Sequence, residues 1–97
     1  MTNPYDDIRR ERVRQDQMHG PRLERHDIPR VLGEEFGEVC AAINDRECVS
    51  RVREELVQCA AVCVKAIETI DSHSLRVNAM LADLGLRDRS LVKGGDE

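Results

Sequence analysis

Two acidic clusters carry the chemistry available to this chain. The first is Glu34-Glu35-x-x-Glu38 and the second is Glu54-Glu55-x-x-Gln58. If the two segments are helices joined by an antiparallel turn near Asp45, Glu38 lies level with Glu55 and Glu35 level with Gln58. Angular position agrees with that height. With Leu32 and Val52 as the zero faces, Glu35 and Glu55 both fall at about −60°, and Glu38 and Gln58 both at about −120°. Equal-signed offsets on antiparallel helices lie on the same side of the pair. Glu35, Glu38, Glu55 and Gln58 therefore converge beside the seam, and Glu34 and Glu54 lie further round. Three carboxylates in one place repel one another and raise one another's pKa. A hard divalent cation removes the conflict, and oxygen-only ligands suit Mg²⁺ or Mn²⁺. The alternative is a solvated acidic face. Apolar Val31 and Ala42 on the flank of Glu35 and Glu38, with Val62 on that of Glu55, weigh against it.

Other residue types offer less. Cys59 and Cys63 fall four apart in an apolar stripe, which predicts packed thiols, and Cys40 and Cys48 are read the same way, with exposure of Cys48 near the turn as the alternative. No Cys-x-x-Cys pair of a structural zinc site occurs. His19 and His26 flank a Gly20-Pro21 connection and read as solvent-exposed loop residues. The run Arg9-Arg10-Glu11-Arg12 with Arg14 is interleaved with acids and reads as a salt-bridged helix face.

The elements that must hold these residues are helices. Asn3-Pro4 opens one that runs from about Tyr5 to Met18 and stops at Gly20-Pro21. Asp27 with Pro29 opens a second, to about Ile43. A third spans about Glu47 to Ile70, and Asp71-Ser72 predicts a break before a fourth, Ser74 to Leu84, ended by Gly85. Apolar residues recur in steps of three and four at Ile28, Leu32, Phe36, Val39 and Ile43. They recur likewise at Val49, Val52, Leu56, Cys59, Cys63, Ile67 and Ile70. Each series predicts one packed helix face. The fold expected is an all-α, four-helix bundle-like domain over residues 1–87, with a polar, flexible tail at 88–97.

Composition sets outer bounds. The chain has 97 residues, 35% of them charged and 2% aromatic, with a net charge of −4. That length fits one domain. The acidic balance gives no support to nucleic-acid binding. No apolar run approaches the roughly 18 residues of a membrane span. The opening MTNPYDDIRR has no apolar segment of the kind a secretory leader carries, so a cytoplasmic protein with reduced thiols is expected. A core this poor in aromatics, and the segment Cys59-Ala60-Ala61-Val62-Cys63-Val64 that is apolar all round, predict a homodimer or homotetramer.

At these residues the sequence resembles the MazG-like, all-α nucleoside triphosphate pyrophosphohydrolases, whose signature is EExxE followed after a gap by ExxD. Here it reads Glu34-Glu35-Phe36-Gly37-Glu38 and Glu55-Leu56-Val57-Gln58. VLGEEFGEV, REELVQCAAVCVKAIETID and the first-helix ERVRQDQMHG are also similar to the family, over about residues 8 to 71. Gln58 stands where the family has Asp, and Met18-His19 where many short members have Lys-Trp. The resemblance implies hydrolysis of an NTP or dNTP to the monophosphate and pyrophosphate, in nucleotide pool control. It implies Mg²⁺, with Mn²⁺ as substitute, on Glu35, Glu38, Glu55 and Gln58, and a water oriented by Glu34, Glu35 or Glu38. Arg14 and Gln15 become candidates for substrate binding by their match to the family opening, with Arg51 and Lys65 of the third helix beside them. Two alternatives remain: a catalytically weakened nucleotide- or metal-binding homologue, and a structural helical oligomer.

Overall fold

A computed structural model describes residues 2–85, apart from the side chains of residues 74 and 75. The expected tail at 88–97 lies outside the described residues. Those residues form three α-helices, α1 (Pro4–His19), α2 (Ile28–Asn44) and α3 (Val49–Asp83), and one short 3₁₀ turn (Arg25–Asp27) before α2. The all-α expectation holds. The four-helix count does not, because α3 runs unbroken through Asp71 and Ser72. Asp and Ser are indifferent helix formers, but neither removes a hydrogen bond as Pro does. No Gly or Pro occurs between Val49 and Asp83.

Local chemistry sets the ends. Asn3 accepts a hydrogen bond from the Tyr5 amide at 2.8 Å, and Pro4 occupies the first turn of α1. Gly20 ends that helix with φ of +81°, a conformation a side chain would strain. The α2–α3 turn closes on Arg46, whose φ is +55°. Its amide bonds to the Ile43 carbonyl at 3.1 Å, and that of Glu47 reaches the Ala42 carbonyl at 3.0 Å. This pair of bonds is the Schellman cap, which satisfies the last carbonyls of α2. Asp27 precedes α2 as expected but makes no side-chain capping bond.

Both α1 and α2 pack on α3. The buried apolar side chains are Val39, Ala42, Ala61, Val62 and Ala66. That set corrects the expected helix faces. Phe36 and Ile43 are exposed, as are Val49, Leu56, Ile67 and Ile70. Cys48 and Cys63 are exposed too, while Cys40 and Cys59 are half-buried, so the packed-thiol reading fails for Cys48 and Cys63. Relative to the stripe of large residues, the α2–α3 seam is turned by about 60° toward the acidic flank. Small side chains explain the turn: Ala42 and Ala66 let the two backbones approach closely, where Phe36 and Leu56 would hold them apart.

Polar ties hold α1 to α3. Arg12 bonds Asp16 at 2.6 Å and reaches across to Glu68, its Nε lying 3.0 Å from that carboxylate. Lys65, buried, donates to the Gly20 carbonyl at 2.7 Å and lies 3.4 Å from Asp16. Arg53 pairs with Asp7 at 2.8 Å. On the outer face of α1, Arg9 pairs with Asp6 and Arg10 with Asp7, the salt-bridged pattern expected of that segment.

Candidate metal centre

The turned seam carries the acids inward. Glu55, on the α3 side, is only 3% exposed, and Glu35 on α2 is half-buried. Glu38 stands one turn after Glu35, at the more open edge. One carboxylate oxygen from each of Glu35, Glu38 and Glu55 lies within 4.8 Å of the other two. Among the described residues no other group of three Asp, Glu, His or Cys side chains gathers in this way.

The electrostatics of the cluster are those of uncompensated charge. Burial pushes the Glu35 carboxyl up from its ordinary value, and the charges of Glu38, Glu55, Glu11 and Glu34 push it further. Burial also raises Glu55. Arg51 opposes that, pairing with one Glu55 oxygen at 2.5 Å, but close contact with Glu38 raises it again. The second oxygens are worse off: Glu35 Oε2 and Glu55 Oε2 are buried with no hydrogen-bond partner. An acceptor-only donor set with two orphaned buried oxygens fits a hard divalent cation.

The other expected site residues take several places around this cluster. Glu34 points outward and pairs with Arg30 at 3.3 Å. Arg51 binds Glu54 as well as Glu55, on the surface turn beside the cluster. Lys65 is committed to Gly20 and Asp16 at the far end of α1. Gln58 offers its main-chain carbonyl to the Gln15 amide at 3.2 Å, while the residue lines a cavity of about 460 Å³ between α1 and α3. Arg14 lines the same cavity and feels the charges of Glu35 and Glu54. Gln15 is buried, and its Oε1 has no partner.

One participant went unread in the sequence. Glu11 of α1 accepts from Arg14 Nε at 2.8 Å and from Gln15 Nε2 at 3.1 Å, and its charge reaches Glu35. It was grouped with the solvated charges of α1. The spacing of Asp7 and Glu11, four apart on one helix face, is the signal that separates it from them.

Comparison with protein-family models, with curated proteins and with solved structures finds no match for this chain.

Proposed function

We propose that Glu35, Glu38 and Glu55 hold a divalent cation, Mg²⁺ or Mn²⁺, and that the protein hydrolyses nucleoside triphosphates to monophosphate and pyrophosphate. The observation that carries the first half is the convergence of the three carboxylates with two buried oxygens unpartnered. The second half rests on the resemblance of the two acidic motifs to the MazG-like pyrophosphohydrolases. Held by Glu35, Glu38 and Glu55, such a cation would supply Lewis-acid stabilisation of the charge that develops as the anhydride bond breaks. The carboxylates do the rest. Glu38, at the open edge of the cluster, is placed to accept a proton from an attacking water. Glu35, with its raised pKa, is a stronger base than an ordinary carboxylate once ionised. Arg14 supplies a guanidinium on the α1 side of the site.

Assembly belongs to the same proposal. Phe36 and Ile43 on α2, and Val49, Leu56, Ile67 and Ile70 on α3, lie exposed with about the same angular offset from the seam. On antiparallel helices they form one apolar surface, which a second copy of the chain would bury.

Pyrophosphate release from a panel of NTPs and dNTPs, with and without Mg²⁺, tests the reading. Release that requires Mg²⁺ and disappears in Glu38→Gln is the expected result. Gln58 and the Arg51–Glu55 pair favour one second reading, a cation-binding protein without turnover: the first adds no negative charge and the second already offsets one. Mn²⁺ binding with no pyrophosphate release from any substrate would select it.

A further inference from the structure

The cavity between α1 and the start of α3 is lined by Asp7, Glu11, Arg14, Arg53 and Glu54, with Ser50, Val57 and Gln58. Its two guanidiniums are both occupied. Arg14 is gripped at two points by Glu11, through Nε at 2.8 Å and through Nη2, and Met18 Sδ accepts at its Nη1. Arg53 is held by Asp7 at 2.8 Å. Asp7 and Glu11 stand one helical turn apart on α1, so the helix presents one carboxylate to each guanidinium.

A guanidinium fork binds a carboxylate and a phosphate with the same two-point geometry. The Arg14–Glu11 pair is therefore what an arginine looks like when an internal anion occupies the place of an external one. Three carboxylates against two guanidiniums leave the cavity net negative, so a free anion has no reason to enter. The cavity adjoins the acidic cluster: Gln58, which lines it, stands one turn after Glu55 on α3, and the charges of Glu11 and Arg14 reach Glu35 and are reached by it. A cation there reverses the local balance.

We infer that Glu11 is a built-in counter-anion for Arg14, and that a phosphate-bearing ligand binds in this cavity by taking Arg14 from Glu11 once a divalent cation fills the acidic cluster. The inference rests on the reading of that cluster as a cation site. Glu11 is a positioning residue in this scheme, and Arg14 makes the contact.

Titration of inorganic pyrophosphate into the full chain at saturating Mg²⁺ tests the exchange, with Mg²⁺ alone titrated in parallel. Glu11→Gln removes the competitor and keeps the side-chain shape. It is expected to tighten pyrophosphate binding about threefold, the scale of a half-exposed ion pair. In an Arg14→Gln background the gain should vanish, which separates release of Arg14 from a general loss of negative charge. Unchanged or weaker binding in Glu11→Gln overturns the inference. So does absence of pyrophosphate binding in every variant while Mg²⁺ still binds, an outcome that leaves the cation site standing. Failure of Mg²⁺ to bind at all overturns the proposed function, and the exchange, which depends on the cation, falls with it. Should circular dichroism show Glu11→Gln unfolded, Glu11→Asp draws the carboxylate back by one methylene and is expected to shift affinity in the same direction.

Discussion

Glu35 and Glu55 have raised pKa values because the fold places them where ionisation is costly. A carboxyl whose pKa is higher folded than unfolded binds more protons in the native state. Its contribution to stability is therefore present at low pH and lost as pH rises from the ordinary carboxylate value through the raised one. Without a cation, the cluster should destabilise the protein at neutral pH relative to pH 4.5. Thermal melts should show Glu35→Gln melting higher than the parent at pH 7 in chelator. Saturating Mn²⁺ should reverse the order. At a hundredfold excess over Kd the ion is worth about 2.7 kcal/mol to the parent, or about 11–20 °C, and much less to Glu35→Gln. A parent Tm indifferent to Mn²⁺ would sink the cation site. Asp16 has the opposite sign. Its bond to Arg12 lowers its pKa, so its contribution is full above the unfolded value and is lost as pH falls through the lowered one.

Cysteine reactivity also belongs to single residues. Cys48 is exposed at the N-terminus of α3, and a hydrogen bond with Ser50 lowers its pKa. Burial raises that of Cys59. Alkylation followed by peptide mapping at pH 7 should label Cys48 first and Cys59 well behind it, because the thiolate is the reacting form. Equal labelling of the two would contradict the placement of α3's first turn. The exposure of Cys48 was readable from its place next to the turn, whereas that of Cys63 was not. Hydrophobic periodicity groups Cys63 with Leu56 and Ile67, and all three face outward together.

At the scale of elements, the number and order of helices up to α3 follow from punctuation: Asn3-Pro4, Gly20-Pro21 and Asp27-Pro29 are strong local signals. The convergence of Glu35, Glu38 and Glu55 was legible as well, because an antiparallel hairpin fixes height and angle at once. The seam was misplaced because periodicity finds the apolar face of a helix without saying what it faces. Size decided that here, with Ala42 and Ala66 buried and Phe36 left outside. The expected break at Asp71-Ser72 does not occur, because low propensity over two residues does not terminate a helix whose own hydrogen-bond ladder runs on. One turn position remains suboptimal. Arg46 holds a left-handed φ of +55° in the cap between α2 and α3, a conformation that favours glycine. Arg46→Gly should stabilise the protein by about 0.5–1 kcal/mol, read as a higher urea midpoint at unchanged slope. A lower midpoint would show that the Arg46 side chain contributes more than its backbone costs.

For the whole molecule the question is what covers the outer face of the α2–α3 hairpin. Among the described residues no helix is long and apolar enough to cross a membrane. The exposed apolar residues running from Ile43 and Val49 to Ile67 and Ile70 are the surface that the proposed second copy would bury. The packing separates two kinds of substitution. Val62 is 5% exposed within the chain, so Val62→Glu places a charge in the core and should unfold the protomer. Ile67 is 58% exposed, so Ile67→Glu leaves the protomer's own core intact. Sedimentation of Ile67→Glu should show a shift toward monomer with helical content preserved at moderate concentration. If Ile67→Glu sediments as the parent does, this face is not the interface, and the large apolar residues along it need a different partner. Dissociation together with retained Mn²⁺ binding would show that one chain suffices for the proposed cation site, in keeping with the gathering of Glu35, Glu38 and Glu55 within a single chain.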